Sequence, residues 1–272
     1  MTPASRSTPP FDLFDLHVLR ASRLTPSMIR VVFGGADLSR MESAGRDQRI
    51  KLFLPAPGQQ APQVPDNSDG NWYPAWQALN PATRGIMRTY TIRDLRTAPT
   101  AELTVDFAVH GDSGPASRWA LRARPGDRVS VLGPVVEENA AYDFRPPPDT
   151  DWVLLTADGS ALPAVAAILE HLPHSLPVHA WIEGAPQPLT PNRPHTTITW
   201  LPPTTSPVEA LRESTLPEGL PYAWVAGESS TVKAIRRHLV TARSMDRNRV
   251  KFSGYWRKGT SEDTLMTNAE AA

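Results

Sequence analysis

Apolar and polar positions alternate in short runs through the first half of the chain. The run "FDLHVLRASRLTPSMIRVVFGG" predicts two antiparallel strands joined by a Thr-Pro-Ser turn, and "QRIKLFLP" predicts a third that Pro55 ends. "MRTYTIR", "AELTVDFAVH" and "DRVSVLGP" predict three more. Ala56 to Ala82, polar and rich in proline, predicts a long loop carrying Trp72, Tyr73 and Trp76. Loops of that length are commonly functional or mobile. One helical piece, "PASRWALRA", lies among the strands. Six short strands with turn punctuation predict a small antiparallel β-barrel.

The rhythm changes near "DFRPPPDTDW", Asp143 to Trp152, where three prolines predict a linker. Beyond it strand and helix patterns alternate. "WVLLTA", "VHAWIE", "TTITWLP", "YAWVAGE" and "RVKFSGYW" read as strands; "LPAVAAILEHL", "PVEALRES" and "STVKAIRRHLVTAR" read as helices. Such alternation predicts a parallel sheet covered by helices. The expected fold is therefore a six-stranded antiparallel barrel over 1–146, then an α/β domain over 147–259. A disordered tail is expected over 260–272.

Composition narrows the chemistry. The chain has 272 residues, with 40% hydrophobic and 21% charged, enough for a core in each of two domains. Its 28 basic and 28 acidic residues cancel, so no general attraction to nucleic acid is implied. The absence of cysteine excludes disulfides, thiolate nucleophiles and Cys-ligated iron–sulfur or zinc centres. The start "MTPASRSTPP" has no apolar segment of the signal-peptide kind. The longest apolar stretch is broken by Asp158, Gly159 and Pro163. A soluble, cytoplasmic monomer without membrane insertion is expected. The histidines give no metal spacing: His171 and His174 lie three apart without a carboxylate partner.

"GIMRTYTIRDL" poses a sharper problem. Strand alternation puts Arg88, Tyr90 and Ile92 on one face, with Thr89, Thr91 and Arg93 on the other. A guanidinium beside a phenol is costly to bury without a partner. A flat, anionic ligand would supply one. In "VHGDSGPASRWAL" a strand ends near His110 and a helix begins near Pro115. Its first backbone N–H groups, at Gly114, Ala116 and Ser117, suit a phosphate. A simple capped surface helix fits the same residues. Arg88 could neutralise that phosphate bidentately, with Tyr90 against the planar group it carries. "LLTADGSALPAV" and "VAGESSTVKAIRRHL" are strand-to-helix turns of the kind that binds ligands in α/β domains, or merely caps its helices.

Taken in order, "RTYTIR", "HGDSGPASRWA", "RPGDRVSVLGP", "ADGSALPA", "YAWVAGESS" and "GYWRKG" resemble the siderophore-interacting protein family. These are flavin-dependent ferric-siderophore reductases of the ferredoxin–NADP reductase superfamily. The likeness runs from about Phe14 to Gly259. It implies an FAD-binding barrel followed by a nicotinamide-binding domain, with NADH or NADPH as donor and a ferric siderophore as small-molecule substrate. On that resemblance Arg88 would contact the FAD pyrophosphate, Tyr90 would pack on the isoalloxazine, and Thr91 would approach its reactive edge. Arg93 completes the strand motif. Gly114, Pro115, Ala116 and Ser117 would form the pyrophosphate cradle near His110. Asp158, Ser160 and Ala161 match the turn facing flavin and nicotinamide, and Tyr255 and Trp256 would close over FAD. Lys51 leads the candidates to receive an anionic siderophore, followed by Arg49, Arg257 and Lys258. Two departures stand out: Gly159 replaces an acid that is frequent in the family, and the turn "GPVVEENA" is acidic. Two rival functions are a flavin reductase serving another acceptor or an oxygenase, and a non-enzymatic siderophore-binding protein.

Overall fold

The computed structural model describes residues 9–67, 70–109, 114–187, 189 and 193–260. The chain divides into two compact units, Met1–Tyr142 and Asp143–Ala272.

The first unit is an antiparallel sheet of seven strands: β1 (Phe11–Thr25), β2 (Met28–Gly34), β3 (Arg49–Leu54), β4 (Ile86–Thr91), β5 (Asp94–Arg96), β6 (Glu102–Ala108) and β7 (Arg128–Pro134). Their order is β4-β3-β7-β1-β2-β6-β5. The sequence predicts six; the seventh, β5, is a charged tripeptide too short to show alternation. β4 and β5 lie at opposite edges of this sheet, yet only Ile92 and Arg93 separate them in sequence. The Ile92 N–H still bonds Gln48 beside β3, and the Arg93 N–H already bonds Thr104 of β6. Thr91 and Asp94 are three Cα steps apart, a reach of roughly 10 Å, so the sheet must curl until its edges come close. It is a curled half-barrel held at the seam by the chain itself. No strand ladder between β4 and β5 closes it.

Inside the curl, Phe14, Leu16, Val31, Phe33, Leu52, Leu103, Val105, Phe107 and Val131 form the core. Two helices attach to this unit. α2 (Pro115–Arg122) buries Ala116 and Ala120 and lays Trp119 on Phe33. α1 (Trp72–Ala78) lies where the sequence predicts loop. Its Pro74 falls in the first turn, where the missing N–H costs nothing. Trp76 is buried beside Phe53, donates to the Gly85 carbonyl at 3.0 Å, and carries the Arg84 guanidinium 3.9 Å over its ring.

The second unit is a parallel sheet of five strands: β8 (Trp152–Ala157), β9 (Val178–Glu183), β10 (Thr196–Leu201), β11 (Pro221–Glu228) and β12 (Val250–Trp256). Their order is β10-β9-β8-β11-β12. The chain leaves β8 in one direction for β9 and β10, then returns to the other side for β11 and β12. Loops at the carboxyl ends of β8 and β11 diverge there, the place where such sheets bind ligands. The helices are α3 (Leu162–His171), α4 (Pro207–Glu213) and α5 (Ser229–Arg237). Leu211 of α4 and Val232 and Ile235 of α5 pack on Leu154, Ala223 and Val225. α3 is buried from Leu162 through Leu169. Its carboxyl end is stopped by Arg193, whose guanidinium donates to the carbonyls of Leu169 (3.2 Å), Leu172 (2.7 Å), Pro173 and Leu176 (3.4 Å).

Candidate functional site

In the first unit the register pairs Leu52 with Arg88 and Ile50 with Tyr90. Directly opposed residues share a face. Arg88 and Tyr90 therefore point to the side of the sheet whose aliphatic residues form the core. Arg88 is only 9% exposed, and its guanidinium donates to the Met87 carbonyl at 2.6 Å. The Tyr90 ring sits 4.4 Å from that of Phe107, which lies 5.7 Å from Trp119 of α2. A chain of rings thus ties β4 through β6 to the helix that starts at Pro115. Thr91 is buried and Arg93 half-buried.

α2 begins with proline at its first position, no acid in its first turn and, among the described residues, no side-chain cap. Helices normally satisfy their first N–H groups with such a cap. A Cβ placed at Gly114 would meet nothing closer than the Ser117 hydroxyl at 3.9 Å, so space is open at this terminus. His110 lies outside the described residues. An uncapped helix start together with a buried guanidinium and an aromatic ring in one unit fits a dinucleotide with a pyrophosphate and a flat ring system.

The basic candidates occupy the other face of the β3–β4 pair. Lys51 opposes Thr89, and its ammonium donates to the Thr89 hydroxyl at 2.8 Å. Arg49 opposes Thr91 and donates through Nε to the Ala141 carbonyl at 3.3 Å. The structure thus separates Lys51 and Arg49 from Arg88 and Tyr90 by the thickness of the sheet.

In the second unit the predicted residues converge at the carboxyl edge. Asp158 directly follows β8 and is 9% exposed. Its Oδ1 accepts from the Ser160 N–H (2.8 Å) and hydroxyl (2.5 Å). Its Oδ2 accepts from the Glu228 N–H (2.9 Å) and the Trp256 indole N–H (2.7 Å). One carboxylate therefore ties the ends of β8, β11 and β12 together. Gly227 makes this possible: at φ +140, a Cβ there would fall 2.6 Å from Asp158 Oδ2. Ala161 is fully buried at the start of α3. The Trp256 ring is 40% exposed, and Tyr255 meets Trp224 edge-on at 6.4 Å. Arg257 and Lys258 follow, exposed, with the Lys258 N–H on Glu228 Oε1 at 3.3 Å.

α5 differs from α2, because its own Glu228 side chain caps it through the N–H groups of Ser230 (2.7 Å) and Thr231 (3.0 Å). That start is a capped helix and offers no phosphate cradle. Burial pushes the Glu228 carboxyl up, but the Ser230 hydroxyl and the backbone donors of Thr231, Lys258 and Ser230 outweigh it and bring it to about 2. Glu183, at the end of β9, behaves oppositely. Burial, then the charges of Asp158 and Glu228, raise it above its ordinary value. Sequence reasoning missed Glu183; the available signal is an acid closing a buried strand immediately before glycine.

Residues 17–138 match the model of the siderophore-interacting FAD-binding domain, and residues 150–259 match that of the siderophore-interacting protein. The chain is 31% identical to the NADPH-dependent ferric-chelate reductase of Escherichia coli over 253 residues, covering 89% of this chain and 92% of that protein. The chain belongs to the siderophore-interacting protein family. The ferric vibriobactin reductase of Vibrio cholerae is 29% identical over 265 residues, covering 91% of this chain and 90% of that protein. A siderophore utilization protein from T. fusca, solved by crystallography, superposes with a TM-score of 0.78 at 34% identity, covering 93% and 95% of the two chains. As a siderophore-interacting protein the chain places its FAD-binding match on the unit that holds Arg88, Tyr90 and the open start of α2. Those residues fit the cofactor that the description of that match implies.

Proposed function

We propose that this protein reduces ferric siderophores, moving electrons from a nicotinamide dinucleotide through FAD to Fe(III) so that Fe(II) is released. The observation that carries this reading is the buried Arg88 and half-buried Tyr90 on one face of β4, in a unit whose other distinctive feature is the uncapped start of α2. The names of the E. coli and V. cholerae relatives support the substrate class.

The chemistry that FAD supplies when bound is uptake of two electrons as hydride and their delivery one at a time. The chain's own residues bind and orient. Arg88 would neutralise the pyrophosphate of FAD, and the N–H groups of Ala116 and Ser117 would be its further donors, with Gly114 and Pro115 shaping the approach. Tyr90, backed by Phe107, presents a flat apolar surface to the isoalloxazine. Thr91 and Arg93 belong to the same strand segment and would face the ring's edge. Asp158 fixes Ser160, Ala161 and Trp256 at the edge that would receive the nicotinamide, with Tyr255 packed edge-on against Trp224. Lys51 and Arg49 of the first unit are the leading cations to attract an anionic ferric complex, with Arg257 and Lys258 of the second unit as further candidates. Oxygen-donor siderophores hold Fe(III) far more tightly than the softer Fe(II), so reduction frees the metal.

Among the described residues no helix is long and apolar enough to cross a membrane. We assign the activity to the cytoplasm and to a monomer, with the functional division between residues 146 and 147. Steady-state Fe(II) trapping tests the reading. The protein with NADH or NADPH should reduce a ferric siderophore much faster than equimolar free FAD does. Rates no higher than free FAD, together with brisk reduction of an unrelated acceptor, would favour a general flavin reductase.

A further inference from the structure

We propose that Glu183 makes this protein select NADH over NADPH by placing a carboxylate where the adenosine ribose binds. This rests on the nicotinamide-dependent reading above. The placement comes from sheet register. Ile182 pairs with Ala157, the last residue of β8, and Glu183 pairs with Leu201, the last of β10. Glu183 is therefore level with Asp158 at the ligand-binding edge, on the strand reached by the first crossover. In doubly wound nucleotide-binding sheets an acid at the end of that second strand accepts from the ribose hydroxyls, while a basic residue there accommodates a 2′-phosphate. Gly184 follows at φ +124, and a Cβ placed on it would meet nothing within 4 Å, so the space beside Glu183 is open. Asp158 and Glu228 spend their oxygens on protein donors, whereas among the described residues none hydrogen-bonds the Glu183 carboxyl. It is left to a ligand.

The distribution of cations points the same way. Between Arg145 and Arg212 the sequence contains a single lysine or arginine, Arg193. That guanidinium is 8% exposed and committed to the carbonyls ending α3. The tips of β8, β9 and β10 thus offer a dianionic 2′-phosphate no cation from their own stretch of chain, and they carry Asp158 and Glu183, with Glu228 on the adjacent β11. Arg257 and Lys258 lie beyond β12, three strand spacings from β9, or about 14 Å. A like charge set against a bound ligand's charge discriminates strongly.

The test is isothermal titration of the FAD-loaded full-length protein with NAD⁺ and NADP⁺, which bind without reacting. NAD⁺ is expected to bind at least about tenfold tighter. Glu183→Gln, which conserves shape, should narrow that ratio, and Glu183→Lys should reverse it. Equal affinities, tighter NADP⁺, or a ratio unchanged in Glu183→Gln would overturn the proposal while leaving the nicotinamide reading intact. Binding of neither dinucleotide, with no bleaching of the flavin by NADH or NADPH, would overturn both.

Discussion

Arg88 shows how one residue can belong to a function before it belongs to a fold. A guanidinium 9% exposed beside Leu52 is a poor choice for core stability, since burial of a charge costs several kcal/mol unless it is paired. On the proposed function its task is to hold a pyrophosphate. Replacing Arg88 with Ala should weaken FAD binding by about 2–3 kcal/mol, on the scale of a charge-assisted pair, while the flavin-free protein keeps a cooperative melting transition. A flavin-fluorescence titration alongside a melting curve separates the two effects. Acids at the other unit's edge make opposite predictions. Glu228 titrates at about 2, below its unfolded value, so its stabilisation is present above the unfolded value and lost as pH falls toward 2. Glu228→Ala should cost about 1–2 kcal/mol at neutral pH, within the range for losing a helix cap, and progressively less in acid. Glu183 is raised, so it binds its proton more tightly folded than unfolded. Its cost is absent below the unfolded value and grows as pH climbs through the raised one. Glu183→Gln should therefore raise the melting temperature at neutral pH and leave it unchanged near about pH 4.

At the level of elements, strand and helix types were largely legible because their periods were clean. The alternation in "AELTVDFAVH" gave β6, and the proline starts of "LPAVAAILEH" and "PVEALRE" gave α3 and α4. Two elements were not legible, for different reasons. β5 is a charged tripeptide whose pairing with β6 is imposed by the chain returning across the seam. α1 is helical because Trp76 gains burial against Phe53, a contact distant in sequence that local propensity cannot register. The site divides similarly. Arg88, Tyr90 and Asp158 were legible from motif order. That Lys51 lies on the face opposite Arg88, and that Glu183 stands level with Asp158, follow only from register. Arg193 lies between strands with no periodic pattern to mark it, and it is the stop of α3. Arg193→Ala strips four carbonyls of a charged donor. The expected loss is about 3 kcal/mol, with faster hydrogen exchange at the end of α3 and an unaltered flavin spectrum.

For the whole molecule, two units built on different principles divide one task. The curled antiparallel unit holds an internal cation and an open helix start, which is what an anionic, flat cofactor requires. The parallel unit gathers its polar groups at the single edge where its strand order reverses, which suits a dinucleotide that comes and goes. The absence of cysteine means the electrons are carried by a bound cofactor and not by a protein thiol or a Cys-ligated cluster. The most direct test is an anaerobic absorbance experiment on the purified protein. It should show a flavin spectrum that bleaches on one equivalent of nicotinamide dinucleotide and recovers on adding a ferric siderophore, with Fe(II) appearing in a chelating trap. A flavin that bleaches but recovers only with oxygen, or a protein that takes up no FAD at all, would contradict the account.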